Sequence, residues 1–201
     1  DYKKEGIWQL GEEAAAAANG QEPGDIKVQD VDGNGVITTD DRIIYSQRPD
    51  VTFGFNNTFN YKGFDLSVFL YARLGQWIAY DYNTTYRINA LENGGNVDYW
   101  TPENPTNAFP RPNKSKSYTQ VTYYSTLKYE DGSFFKIRDI TLGYTFKPEL
   151  LKHLNLSKLR VYATAKNFFT FSKIDNYDPE QGGSISFPMT KQLVFGLNVE
   201  F

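Results

Sequence analysis

The chain has no cysteine among its 201 residues. Disulfide stapling and thiolate metal sites are therefore excluded, and cysteine usage leaves the redox compartment open. There is a single histidine, His153, in the polar stretch "KPELLKHLNLSK". With no second histidine or cysteine to complete a catalytic triad or a zinc site, it reads as a surface residue. Basic excess is also missing: 21 Lys and Arg stand against 24 Asp and Glu, a net charge of -3. Nucleic-acid binding needs a basic stripe, so that class of partner is set aside. No run approaches the roughly 18 apolar residues of a spanning helix. The mean hydropathy of -0.55 looks soluble, but barrel strands alternate apolar and polar residues and average out to such values. The opening "DYKKEGIWQL" lacks the basic, apolar and small-residue order of a signal peptide, so an exported protein is expected to have its true N-terminus elsewhere.

What the chain has in excess is aromatic residues, 15 Tyr, 15 Phe and 3 Trp. These favour strands and amphipathic boundaries. Residues 1–50 read as loop with one short helix near Glu12 to Ala18, where acidic residues precede an alanine run that Asn19-Gly20 stops. Strands begin at Val51. In "VTFGFNNTFNY" the apolar residues Val51, Phe53, Phe55, Phe59 and Tyr61 share one parity. After Lys62-Gly63 the parity switches to Phe64, Leu66, Val68, Leu70 and Ala72, which predicts a hairpin.

From 75 to 132 regularity disappears, and a loop of that length usually carries function. In "FFKIRDITLGYTF", Phe135 and Ile137 differ in parity from Ile140, Leu142, Tyr144 and Phe146, predicting a bulge near Arg138 or a change of environment there. "LRVYATAKNFFTF" places Leu159, Val161, Ala163, Ala165, Phe169 and Phe171 on one side. The closing "KQLVFGLNVEF" does the same with Leu193, Phe195, Leu197, Val199 and Phe201.

Five alternating runs result, and their connections alternate between short (at 62 and 147–158) and long (75–132 and 172–190). Short turns on one edge and long loops on the other are the habit of outer-membrane barrels. Aromatics gather near both rims: Tyr61, Phe64, Tyr144, Phe146 and Phe201 at the short-turn edge, Phe53, Tyr71, Phe169 and Phe171 at the long-loop edge. Asp65, Arg73, Lys166 and Asn198 are then expected to face a wet lumen. Five strands cannot close, and an open sheet edge in lipid leaves backbone groups unsatisfied at several kcal/mol each. The fold class is therefore all-β: about five C-terminal antiparallel strands of a larger transmembrane barrel. The expected organisation is 1–50 as an extracellular loop and 51–201 as the last barrel strands, with 75–132 as a large extracellular loop.

In order and spacing, "GDIKVQDVDGNGVITTDDR", "TFGFNNTFNYKGFDLSVFLYA", "WTPENP", "EDGSFFKIRDITLGYTF", "LRVYATAKNFFTFSKIDNYDPE" and "VFGLNVEF" resemble the C-terminal part of the SusC/RagA-type TonB-linked outer-membrane transporters of Bacteroidetes. The resemblance implies a 22-stranded barrel with an N-terminal plug, located in the cell outer membrane. It implies a SusD-type surface lipoprotein as lid, and import of glycans or peptides energised by TonB, whose contact segment lies outside this chain. It further implies that the terminal strand, with Leu197, Val199 and Phe201, is the signal read by the barrel-assembly machinery. A siderophore-type TonB-dependent receptor shares this architecture. A secreted, calcium-stabilised β-sandwich that binds carbohydrate is the soluble alternative, and detergent dependence separates it from a barrel.

One stretch has metal-ligand spacing. In "DVDGNGVITTDD", Asp30, Asp32 and Asn34 stand at positions 1, 3 and 5 of a calcium loop, Gly35 at 6, Val36 at 7 through its carbonyl, Thr38 at 9 and Asp41 at 12. Asp41 replaces the bidentate Glu, Thr38 is a poor ligand, and no flanking helix pair is evident. The alternatives are a structural Ca²⁺, a metal-free Asx-rich turn and a regulatory sensor. Adjacent carboxylates such as Glu12-Glu13, Asp40-Asp41 and Glu130-Asp131 do not straddle a cleft, so no enzyme activity is expected. The loop aromatics Trp77, Tyr80, Tyr82, Tyr86, Tyr99, Trp100, Phe109, Tyr118, Tyr123 and Tyr124 either wall a substrate mouth or pack the loop, and packing is the commoner use.

Overall fold

A computed structural model of the chain describes residues 1–86, 88 and 96–201. In chain order its elements are β1 (Lys4–Ile7), α1 (Glu13–Ala18), β2 (Ile26–Val28), β3 (Val51–Tyr61), β4 (Phe64–Leu74), β5 (Trp77–Ala79), β6 (Tyr129–Asp131), β7 (Phe134–Thr145), α2 (Pro148–Leu151), β8 (Lys158–Ser172) and β9 (Gln192–Glu200). Short 3₁₀ turns fill several of the connections. Two compact units result, one from residues 1–46, 78–130 and 183–185, the other from 47–77, 131–182 and 186–201.

The second unit is an antiparallel sheet in the order β3-β4-β7-β8-β9. Alternation in the sequence makes its two faces chemically distinct. Strand register then aligns the apolar positions into rows across the sheet. Tyr61, Phe64, Tyr144, Val161 and Leu197 form the row nearest the short turns. The next row is Phe59, Leu66, Leu142, Ala163 and Phe195, and above it stand Asn57, Val68, Ile140, Ala165 and Leu193. Asn57 is the one polar member of these three rows. The β3–β4 hairpin turns on Lys62 (φ 47°) and Gly63 (φ 89°). Two consecutive left-handed residues match the twist of the flanking strands, and Gly63 meets the requirement without strain. The twelve residues from 146 to 157 fold α2 and a 3₁₀ turn between β7 and β8, with Leu151 buried.

The predicted bulge is present. Against β4, Phe69 pairs with Asp139 and Leu70 with Ile137, so Arg138 is the extra residue; against β8, where Ile137 pairs with Phe169 and Asp139 with Lys166, Arg138 stands opposite Asn167 and Phe168. This reconciles the two parities of β7: Phe135 and Ile137 share a face with Ile140 and Leu142 because one residue is skipped.

The first unit departs from the sequence reading of loop and helix. Besides α1, β1 and β2 pair antiparallel with a register break between Lys4 and Gly6. Strands of four and three residues carry too few positions to display a period of two. The stretch 75–132, read as irregular, contributes β5, β6, several 3₁₀ turns and half of a core; its residues 87 and 89–95 lie outside the described part. Ile7, Ile26, Val28, Tyr86, Ile88, Trp100 and Leu127 form that core. Their burial arises from contacts distant in sequence, which no local period records.

Candidate functional site

The apolar face of the five-stranded sheet is exposed along several strands. Phe195 is 77% exposed, Leu197 68% and Phe59 61%, and Leu142, Leu193 and Phe64 are exposed with them. Soluble monomers rarely expose apolar patches beyond a few hundred Å², and larger ones mark a protein or membrane contact. Strands of 9 to 15 residues meet the length that a tilted strand needs to cross a bilayer's hydrocarbon core.

The opposite face carries the charges. Asp65 on β4 accepts from Arg160 Nε on β8 at 2.8 Å, bridging across β7. The bridge passes over Gly143, where a Cβ would lie 2.5 Å from both the Arg160 guanidinium and the Asp65 carboxylate. Arg160 also stands 4.9 Å from the Tyr162 ring centroid, and that ring covers Gly196. Thr141 and Thr164 hydroxyls meet at 2.9 Å. Of the residues expected on this face, Asp65 is thus placed in an ion pair, Lys166 lies 3.9 Å from Asp139, and Arg73 donates to the Tyr71 hydroxyl.

Sequence reasoning missed Lys136. Its side chain is fully buried and lies 2.6 Å from Asp178 and 2.8 Å from Glu180, the second of which also pairs with Arg138 at 3.1 Å. Asp178 further accepts from Thr170. A buried ammonium is tolerated only when paired and hydrogen-bonded. The segment after β8 is therefore held to the polar side of the sheet by charge. The only local signal was a lysine at an inward position within "FFKIRD"; its acids, in "YDPE", come from a separate connection.

The loop with calcium spacing is compact. Carboxylate oxygens of Asp30, Asp32 and Asp41 lie within 4.8 Å of one another. Asp30 accepts from the amides of Gly33 and Gly35, Asp32 from that of Asn34, and Asn34 from that of Val36. Asp41 is buried and accepts from Val31 at 2.8 Å and Thr38 at 2.7 Å. The Thr38 amide above all, with those of Val31 and Asp32, holds the Asp41 carboxyl below the usual carboxylate range. The Thr38 hydroxyl accepts from the Asp40 amide and caps the turn Thr39–Asp41. Three converging carboxylates and an amide oxygen suit a hard, oxygen-seeking divalent cation.

Most loop aromatics pack. Tyr86 and Trp100 are core residues, with Phe109, Tyr123 and Tyr124 against them. The Trp100 indole donates to Gln9, the Tyr86 hydroxyl to the Pro110 carbonyl and the Tyr124 hydroxyl to the Tyr86 carbonyl. Burial pushes the Tyr86 hydroxyl far above its ordinary value. Tyr80 is buried and Trp77 half-buried, while Tyr99 is exposed. The Tyr118 side chain lies outside the described part.

No family model matches the sequence. Relatives do. The chain is 30% identical over 226 aligned residues to the TonB-dependent receptor P3 of Formosa agariphila, covering all of this chain and 22% of that protein. It is 31% identical to the TonB-dependent receptor SusC of Bacteroides thetaiotaomicron, over 86% of this chain and 17% of SusC. In fold it superposes on the RagAB peptide importer in its open-open state with a TM-score of 0.66 and 25% identity, again over all of this chain and 22% of that one. It thus spans about a fifth of the length of these relatives. The two sheet edges, β3 and β9, have no partner strand among the described residues. By sequence and by fold, this chain belongs to the SusC/RagA-type TonB-dependent receptors, as C-terminal strands of their barrel.

Proposed function

We propose that the protein is an outer-membrane nutrient importer, and that this chain supplies barrel wall, outward-facing loops and an assembly strand while performing no bond chemistry. The observation that carries this reading is the unsheathed apolar face of five registered strands, in a chain whose homologues are TonB-dependent receptors throughout its length. Lipid is the solvent that such a face fits. The loops 1–50 and 75–132 are then extracellular and help shape the substrate mouth and the seat of a SusD-type lipoprotein. TonB supplies the energy through a part of the protein beyond these residues. The cargo is an oligosaccharide or a peptide.

The test is uptake by cells lacking the gene, supplied with labelled oligosaccharides or oligopeptides, together with affinity purification of the full-length protein. Lost uptake of one cargo class and a co-purifying lipoprotein are expected. Normal uptake of both classes with no partner would overturn the reading. For the assembly role, deletion of Phe201 is expected to lower the amount in the membrane more than the transport per inserted molecule; unchanged membrane levels would refute it.

The loop 30–41 is proposed to hold a structural Ca²⁺, with Asp30, Asp32, Asn34 and Asp41 as side-chain ligands, the Val36 carbonyl as a fifth and Thr38 near position 9. The spacing and the mutual approach of the three carboxylates support it. Calorimetry with Ca²⁺ is expected to give heat for the wild type and none for Asp30→Ala. Equal heats would dismiss the site.

A further inference from the structure

We infer that the apolar face carries a seat for one anionic phospholipid at its short-turn edge. The acyl chain lies in a groove over Ala163, and the headgroup meets exposed lysines. The inference rests on the membrane reading above and specifies the lipid that the wall selects.

The groove is a gap in the row Phe59, Leu66, Leu142, Ala163 and Phe195, where Ala163 is the one small side chain. Ala163 stands between Leu142 and Phe195, directly paired with both across the strands. Its methyl leaves a gap that Phe64, Tyr144 and Val161 close toward the short turns. The resulting groove has a volume of about 280 Å³. Phe64 and Tyr144 pack with ring centroids 4.7 Å apart, and Tyr144 meets Phe146 edge-on at 5.1 Å. A rigid aromatic lip therefore sits between the groove and the sheet edge. Tyrosine at that depth has an apolar ring for the chain and a hydroxyl for the interface.

Charge at the edge beyond this lip is predominantly positive, with three exposed lysines against one exposed acid, Glu149. Lys62 occupies the β3–β4 turn, which adjoins the end of β7 through the bond from the Thr145 amide to the Gly63 carbonyl at 2.7 Å. Lys147 follows Phe146, whose amide bonds to the Leu159 carbonyl, and Lys152 lies in the same connection. All three are exposed, and none enters an ion pair among the described residues. The fourth lysine, Lys158, is paired with Glu200 at 3.1 Å, leaving Glu149 as the opposing acid of the connection. At the other end of the sheet Lys136, Arg138 and Lys173 have carboxylate partners. An apolar slot with an aromatic lip, and beyond it three ammonium groups with no carboxylate partner among the described residues, one of them over the Tyr61 ring, complements an acyl chain ending in an anionic headgroup.

The full-length protein, reconstituted in vesicles of phosphatidylcholine doped with phosphatidylglycerol and re-extracted in detergent, provides the test. Native mass spectrometry counts retained phospholipid, and heat-modified gel mobility verifies that each variant has assembled. Wild type is expected to retain phosphatidylglycerol preferentially. Exchanging Lys62, Lys147 and Lys152 for Gln is expected to weaken that preference by about fivefold per lysine, the equivalent of roughly 1 kcal/mol per basic residue at an anionic surface. Ala163→Phe fills the groove and is expected to abolish retention in an assembled barrel. Equal retention of the two lipids, a preference indifferent to the lysines, or retention unchanged in Ala163→Phe would each overturn the inference. Failure of the membrane reading looks different, since the protein would then not enter the vesicles at all.

Discussion

The two units spend the same kinds of residue in opposite ways. In the first, Ile7, Ile26 and Trp100 are 1%, 0% and 4% exposed and define an interior. In the second, side chains of equal hydrophobicity stand outward and the interior side of the sheet is polar and charged. A residue's hydropathy therefore does not say whether it is buried; it says what surrounds it. The first unit solves the problem of water by enclosing its apolar groups. The second solves the problem of lipid by displaying them and pairing its backbone from strand to strand.

The comparison is broken most strongly at the core of the first unit. Trp100→Ala removes a buried ring and its bond to Gln9, at a cost of about 3–5 kcal/mol. Hydrogen exchange on the full-length protein is expected to show protection lost in 1–46 and 78–130 and retained in the five strands. Loss in both regions would show that the units do not fold as separate bodies. Next in size is Leu193→Arg on the outward face, expected to cost roughly 2–4 kcal/mol if it reaches the bilayer midplane. The readout is the fraction of heat-resistant, assembled barrel in the membrane. An arginine at Thr164, on the polar face of the neighbouring strand, is the control and is expected to assemble better.

The smallest effect sharpens the comparison from the aqueous side. Asp41 is held below the ordinary carboxylate range by amide donors. Its folded value is lower than its unfolded one, so its contribution is present above the unfolded value and is lost as pH falls through the folded one, below about pH 4. Amide exchange at Val31 and Thr38 is expected to accelerate in that window, and Asp41→Asn is expected to remove the pH dependence. The strands are expected not to respond.

Legibility in the sequence followed the same division. In the second unit a period of two is enforced by the pleat, so strand limits, the turn at Lys62-Gly63 and even the bulge at Arg138 were readable from parity alone. The first unit owes its order to contacts such as Trp100 with Gln9 and Tyr86 with Pro110, whose partners lie 91 and 24 residues away. Such pairs leave no local trace. The acidic loop was legible because ligand spacing is a local property. The Lys136 cluster was not, because its carboxylates come from a separate connection.

The central claim is that hydrocarbon covers the outward face; this chain has no cysteine, so labels on β9 measure it once any cysteines elsewhere in the full-length protein are replaced. Single cysteines introduced at positions 193 to 198 of β9 in the full-length protein, spin-labelled in bilayers, report collision with oxygen, which concentrates in lipid, and with a polar nickel chelate, which does not. Oxygen access is predicted to peak at Leu193, Phe195 and Leu197, and chelate access, where there is any, at Val194, Gly196 and Asn198. A profile without this alternation, or with chelate access at Phe195, would contradict the account.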